Sequence, residues 1–456
     1  MRMDYTKGET WGSRPVRRYG LIGRPLQHSL SPWIHKRIME AAGIRGEYRL
    51  YELQENELAR ELPRLVDELD GFNCTIPYKQ KVIPFLRSLA PSAQVYGAVN
   101  TVYHGVGHNT DGAGLRSCAV PLWGKRVCIL GAGGVARVLA VEAAQAGAEE
   151  IVIRARRLEQ ARELAALVCN LGFSHVHCAD YQDQVSCHVL LNGTPVGMWP
   201  QVGGLPVPAE ELANVQAVFD TIYNPTATRL VLKAKTLGLW AQGGLRMLLA
   251  QALAAQQIWN PDGDFTRLER ELGSMERDLA WEVFRSSPLK LVLSGFMGAG
   301  KTHVGRLLAQ RLQMPFADLD ECVVRRAGQT IPNIFAAQGE EGFRQLERTC
   351  LEEELSAEGP LVLAAGGGTV LQQGTVELIH SLGGLVIYLD VPFETAWERC
   401  ASGGERPLLN RGRESAWALY QRRRPLYAEA ADLQVDSGGE DSQVVRAILA
   451  AFELEV

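Results

Sequence analysis

The sequence predicts an α/β protein assembled from several helix-covered, largely parallel sheets, and three observations carry that reading. Two glycine loops, Gly131-Ala-Gly-Gly-Val-Ala136 and Gly295-Phe-Met-Gly-Ala-Gly-Lys-Thr302, each follow an apolar strand and open a helix. Ahead of the first loop the pattern alternates strand and helix in βαβ order. The chain has 456 residues, 46% of them hydrophobic and 22% charged, enough for two or three ordinary cores.

In order along the chain, residues 1–17 are polar and basic and read as an unordered leader. Apolar strands are expected at 19–23, 48–53 and 71–76, with helices over 32–42 and up to Leu69 between them. A second unit opens with a strand at 125–130, turns through the first glycine loop, runs a small-residue helix to Ala146 and returns as a strand at 150–153. Strands follow at 189–191 and 215–219, then a helix over 245–259. The charged stretch 262–287 closes in Ser-Ser-Pro and reads as a linker, its core at 273–287. The third unit starts with a strand at 289–293, and the helix after Lys301 carries Val304, Leu307, Leu308 and Leu312 on one face.

A net charge of −5 without long runs of one sign offers no basic footprint for nucleic acid and no polybasic segment for a membrane. No stretch approaches about 18 uninterrupted apolar residues. Nine cysteines without a C-x-x-C pair point to free thiols in a reducing cytoplasm. His175, His177, Cys178, Cys187 and His188 form a cluster whose spacing matches no standard zinc pattern.

The two loops predict different nucleotides. Gly131, Gly133, Gly134, Val135 and Ala136 suit the pyrophosphate of a dinucleotide at a helix N-terminus. An NAD enzyme wants an acid at the end of the next strand, whereas this chain shows Arg154, Arg156 and Arg157, which suit the 2′-phosphate of NADP; a solvated basic turn is the alternative. Gly295 to Thr302 satisfies the P-loop pattern in full, including Gly298 and Gly300; Lys301 would reach the terminal phosphates of ATP and Thr302 would hold Mg²⁺.

The motifs Tyr19 to Pro32, Gly71-Phe-Asn-Cys-Thr-Ile-Pro-Tyr-Lys79, Ala98 to Thr101, Asn109-Thr-Asp111, Asn192 to Met198, Asp220-x-x-Tyr223 and Met247 to Gln251 together resemble shikimate dehydrogenase over residues 19–260. The resemblance implies that Lys79 and Asp111 supply and steer the proton as a ring ketone is reduced. It implies that Ser29, Ser31, Thr75, Asn100, Tyr223 and Gln251 hold a polyhydroxylated acid, with Thr221 and Gly244 on the NADP(H) side. Taken singly, Lys79 could be a surface lysine, and Asp111 and Ser31 helix caps. Tyr78 stands where histidine is common, Cys74 where valine is usual, and Ala155-Arg-Arg157 replaces Asn-Arg-Thr, which weakens the expected preference for NADP over NAD.

Beyond the P-loop, Phe316-Ala-Asp-Leu-Asp320, Gly342-Phe-Arg344, Gly366-Gly-Gly368, Glu405-Arg-Pro-Leu-Leu409 and Arg423-Arg-Pro-Leu-Tyr427 resemble shikimate kinase across residues 289–450. By that resemblance Asp318 supports the Mg²⁺ shell with Thr302, Asp320 positions the substrate hydroxyl, and Arg344 and Arg423 clamp the carboxylate beside Gly367. Arg406 sits in a lid at 402–413, Arg399 lies against the adenine, and His303 replaces the usual threonine just past the metal ligand.

The two resemblances share a metabolite. They imply a bifunctional enzyme that reduces 3-dehydroshikimate to shikimate with NADPH and phosphorylates shikimate with ATP and Mg²⁺, acting in the cytoplasm as a monomer or homodimer. The expected division is a leader (1–17), a substrate-binding α/β domain (18–118), a Rossmann NADP domain (119–240), helices returning to the substrate domain (241–272), a linker (273–287) and a P-loop kinase domain (288–456). A rival is a quinate/shikimate dehydrogenase whose kinase-like domain serves only as a regulatory nucleotide-binding module.

Overall fold

The structure is a computed structural model that describes residues 16–27, 29–401 and 412–454, so the leader up to residue 15 lies outside the described residues. Three sheets organise the rest. The first comprises β1 (Arg17–Gly23), β2 (Gly46–Glu52), β3 (Gly71–Cys74), β4 (Ser88–Leu89), β5 (Thr101–Tyr103) and β6 (Val106–His108), in the order β2-β1-β3-β5-β6-β4. Its first three strands are parallel, and β5 runs antiparallel to both β3 and β6. The helix Leu58–Glu68 presents Leu58, Leu62 and Leu65 to this core, an i, i+4, i+7 stripe.

The second sheet is wholly parallel: β7 (Arg126–Leu130), β8 (Glu150–Ala155), β9 (Val176–Asp180), β10 (Val189–Asn192), β11 (Ala217–Asp220) and β12 (Trp240–Gln242), ordered β12-β11-β10-β7-β8-β9. Strand order reverses between β7 and β10, the topological switch point of a dinucleotide-binding fold, and the first glycine loop leaves β7 there. The third sheet, also parallel, holds β13 (Lys290–Ser294), β14 (Phe316–Asp318), β15 (Leu361–Ala364), β16 (Gly384–Asp390) and β17 (Leu433–Asp436) in the order β14-β15-β13-β16-β17. Its P-loop strand β13 is central and buried on both faces, hence the continuous run Leu-Val-Leu.

Two compact units emerge from the packing. One contains the chain up to Ala119 with Arg137–Glu142 and Arg246–Glu276; the other contains Val120–Ala136, Ala143–Leu245 and the chain from Arg277 onward, and so holds both the second and the third sheet. The expected linker is corrected: residues 273–287 fall almost entirely within a 21-residue helix, Thr266–Ser286. Leu268, Leu272, Met275, Leu279, Val283 and Phe284 are buried along one side of it. The charges that suggested a linker occupy the other positions. Strand β9 was not expected; His177 and Cys178 lie on it.

Candidate active sites

In the first unit, Lys79 follows β3 and Asp111 opens the helix Asp111–Ser117. Their side chains meet, Lys79 Nζ donating to Asp111 Oδ2 at 2.5 Å, with Lys79 partly exposed and Asp111 nearly covered. Asn100 anchors the acid: its Nδ2 donates to Asp111 Oδ1 at 2.8 Å and to Thr110 Oγ1 at 3.0 Å, and lies 3.5 Å from Gln251 Oε1. Asn109 Oδ1 accepts the Asp111 backbone N–H at 2.9 Å. Lys79, Asp111, Asn100 and Gln251 are thus brought together by four different segments. Ser29 Oγ accepts from Ser31 N at 3.3 Å just before the helix Ser31–Ala41, and Thr75 is half-buried where β3 ends. Tyr223, Thr221 and Gly244 belong to the second unit.

Behind Asn100 stands a buried polar network that sequence reasoning missed. Tyr48 OH donates to Asn73 Oδ1 at 2.8 Å, and Asn73 Nδ2 donates to the Asn100 carbonyl and to Thr101 Oγ1, each at 3.0 Å. His35 stacks on Tyr48 with ring centroids 4.2 Å apart, and burial pushes its pKa down to about 3, so the ring stays neutral. Asn73 belongs to the Gly71 to Lys79 motif, but its role depends on partners distant in sequence.

At the switch point the first glycine loop opens the helix Gly134–Gln145. Nothing lies within 4 Å of where a Cβ would stand on Gly133 or Gly134, which leaves room for a pyrophosphate against the loop. The expected role of Arg154 is corrected. Its guanidinium is buried, donates to Glu211 Oε2 at 2.6 Å and to the Tyr181 carbonyl at 2.9 Å, and so does not face a ligand. Arg156 and Arg157 are exposed just past the strand end. Beneath this region Asp220 is fully buried; desolvation raises its pKa to about 7 even though Thr228, Ile222 and Asn192 all donate to its carboxyl.

In the third sheet the loop after β13 wraps the start of the helix Lys301–Leu312. Gly298 sits at φ +78°, and a Cβ there would stand 2.4 Å from the Ala396 carbonyl, so glycine is required. Lys301 Nζ donates to the Gly295 and Phe296 carbonyls at 2.9 and 3.2 Å, folded over its own loop. Thr302 Oγ1 donates to Asp318 Oδ2 at 2.6 Å, pairing a hydroxyl and a carboxylate of the kind that hold Mg²⁺. Arg399 donates to the Ser437 and Gly439 carbonyls at 3.0 and 2.9 Å, with Gly298 O 3.5 Å away. His303 is exposed, 3.9 Å from Asp441. Arg406 and most of the expected lid lie outside the described residues.

A second cluster faces the same sheet end. Arg423 Nη1 donates to the Gly367 carbonyl at 3.1 Å, and Tyr427 OH donates to the same oxygen. A Cβ on Gly368 would meet Arg344 Nη2 at 2.7 Å, and one on Gly366 would lie 3.2 Å from Asp320 Oδ1. Asp320, Arg344, Arg423 and the three glycines therefore converge. Glu347 is a residue the sequence reading missed: fully buried, it accepts from Arg344 at 2.8 Å, from Thr369 Oγ1 at 2.7 Å and from Gln372 at 2.6 Å. Its position three residues after Arg344 on one helix was the available signal. Among the described residues, no three His, Cys, Asp or Glu side chains lie close enough to hold a metal by themselves, and no helix is long and apolar enough to cross a membrane.

Fold and sites define a two-enzyme chain, a nicotinamide-dinucleotide dehydrogenase joined to a P-loop kinase of small molecules. Comparison with known proteins makes this specific. The profile of the shikimate dehydrogenase substrate binding domain matches residues 21–102, and that of shikimate kinase matches residues 297–453. A shikimate dehydrogenase (NADP(+)) of Moorella thermoacetica is 36% identical over 254 residues, 52% of this chain and 86% of the relative. A crystal structure of shikimate 5-dehydrogenase from Listeria monocytogenes, in complex with shikimate and NAD, aligns with a TM-score of 0.52 and 30% identity over 56% of this chain and 96% of its own. A chorismate mutase/shikimate 5-dehydrogenase fusion from Clostridium acetobutylicum aligns with a TM-score of 0.50 and 34% identity over 54% and 92%. The chain belongs to the shikimate dehydrogenase family and carries a shikimate kinase domain behind it. It is a bifunctional enzyme of the shikimate pathway, using NADP for one reaction and ATP with Mg²⁺ for the other.

Proposed function

We propose that Lys79 and Asp111 are the proton-transfer pair of the reductase and that Asp320, Arg344 and Arg423 bind the substrate of the kinase, the two sites acting in sequence on one ring acid. The observation that carries this is the 2.5 Å contact between Lys79 and Asp111, held by Asn100, in the unit that also presents Ser29, Ser31, Thr75 and Gln251. Bound NADPH supplies hydride to the C3 ketone of 3-dehydroshikimate. As charge builds on the ketone oxygen, the Lys79 ammonium hydrogen-bonds it and delivers a proton, while Asp111 keeps the ammonium aimed and balances its charge. Arg156, exposed past β8, holds the 2′-phosphate together with Arg157, in place of the buried Arg154.

In the kinase half, bound ATP with Mg²⁺ supplies the phosphoryl group. Arg344 and Arg423 fix the shikimate carboxylate as paired guanidinium groups, and Asp320 accepts the proton of the attacking 3-hydroxyl. Thr302 and Asp318 would hold the metal, Lys301 would balance phosphate charge, and Arg399 would serve the adenine end of the site. The protein works on small molecules in the cytoplasm, without nucleic acid or membrane partners, as a monomer or homodimer.

The test is reciprocal inactivation in the full chain, supplied with 3-dehydroshikimate, NADPH and Mg-ATP and read by absorbance and product mass. Lys79→Ala is expected to lower reduction about 10²–10⁴-fold and leave phosphorylation of added shikimate intact. Lys301→Ala is expected to do the reverse. A folded single variant that loses both reactions would overturn the separate-site reading, and a wild type that hydrolyses ATP without phosphorylating shikimate would favour the regulatory module.

A further inference from the structure

The kinase sheet ends at β17, an edge strand whose outward N–H groups need a cover. Within the second unit that cover is the helix Arg229–Thr236 of the NADP-binding domain. Thr236 Oγ1 accepts the Gln434 backbone N–H at 3.0 Å, and Lys235 Nζ donates to the Ala451 carbonyl at 2.8 Å. At the other end of the helix, Arg229 Nε donates to Asp432 Oδ1 at 2.6 Å and Arg229 Nη1 donates to the Gly203 carbonyl at 2.5 Å.

Asp432 is fully buried, just before β17. Its second oxygen takes His380 Nε2 at 2.9 Å and the Val386 N–H at 2.8 Å. Burial alone would raise its pKa, yet His380, Arg229 and the Val386 amide together hold it below the usual carboxylate range. A charged group in such a place is stable only while its partners stay, and one partner belongs to the dehydrogenase. From Asp432 the chain runs through β17 and straight into Ser437 and Gly439, whose carbonyls receive Arg399 next to Gly298 of the phosphate-binding loop.

We propose that Arg229, a residue of the dehydrogenase half, is a positioning residue of the kinase nucleotide site: through Asp432 it anchors the strand whose outgoing loop holds Arg399 against the P-loop. The proposal rests on reading Gly295 to Thr302 as the ATP site. The dehydrogenase domain is thereby a structural part of the kinase, and its helix sets how well the adenine end of the site is formed.

Calorimetric titration of the full chain with Mg-ADP tests this. Arg229→Met is expected to weaken Mg-ADP binding about 3- to 10-fold and to raise the KM for ATP by the same factor. The KM for shikimate and the NADPH-linked reduction are expected to stay at wild-type values. Arg229→Lys keeps a charge beside Asp432 and is expected to recover part of the loss. Thr236→Val removes the acceptor for Gln434 without touching the ion pair; it serves if Arg229→Met does not fold, and is expected to weaken Mg-ADP in the same direction. Unchanged Mg-ADP affinity in a folded Arg229→Met chain, or in Thr236→Val, overturns the proposal, and so does an equal loss of shikimate affinity, which would mean general loosening of the domain. A wild type that binds no Mg-ADP would remove the nucleotide-site reading and the proposal with it.

Discussion

Glu347 shows how much of the proposed shikimate site rests on a buried residue behind it. It is a fully buried acidic partner of Arg344, whose other carboxylate contact, Glu340, is exposed, and Thr369 and Gln372 fix both of its oxygens. In Glu347→Gln one oxygen becomes an N–H, so the donors Arg344, Gln372 and Thr369 have one acceptor fewer among them, and Arg344 keeps only the exposed Glu340 as a charged partner. The KM for shikimate is expected to rise about tenfold or more, the scale of one hydrogen bond to a charged group, with reduction unchanged; steady-state phosphorylation kinetics check it. Asp220 gives a pH dependence at the same scale. Its folded pKa of about 7 lies above the unfolded value of about 3.9. Between those values the native state binds more protons than the unfolded one, so stability falls as pH rises through about 4 to 7 and is level above. Asp220→Asn, which mimics the protonated form toward Thr228 and Asn192, is expected to flatten that decline in unfolding midpoints recorded from pH 5 to 8. A slope equal to wild type would mean that another group carries it.

At the level of elements, the helix Thr266–Ser286 is where the sequence misled and where packing decides. Leu279 is fully buried in it, so Leu279→Ala is expected to cost about 2–5 kcal/mol of stability, measured by denaturant unfolding; a flexible linker would show almost no loss. The misreading has a physical reason. Arg267, Glu269, Arg270, Glu271, Arg277 and Asp278 raise the local charge enough to hide a stripe that has helical spacing once the outer face is set aside. The glycine loops were legible because phosphate binding is local chemistry: strand, turn and helix N-terminus lie within a dozen or so residues. Lys79 and Asp111 were legible only through their motifs, since the contact between them depends on Asn100 and on the pairing of β3 with β5. Arg154 was misassigned because its partner, Glu211, comes 57 residues later and nothing near the strand end announces it. The network from Tyr48 through Asn73 to Asn100 was silent for the same reason, its members being brought together only by sheet pairing.

For the whole molecule, the buried Asp432 ties the fates of two sheets. Opening the NADP-binding sheet withdraws Arg229 and leaves a carboxylate in the kinase core short of a partner, so the partly unfolded state is penalised on the kinase side. Ligand at the kinase site must then be felt in the other sheet. A ligand at 100 times its Kd stabilises the state that binds it by about 2.7 kcal/mol. Mg-ADP is therefore expected to slow amide exchange not only in β13, β16 and β17 but also in β10, β11 and the helix Arg229–Thr236, while leaving β1 and β3 of the first sheet unaffected. The same experiment on Arg229→Met is expected to confine protection to the kinase strands. Protection confined there in the wild type as well would show that the two sheets open independently, and that the fusion shares a chain without sharing stability.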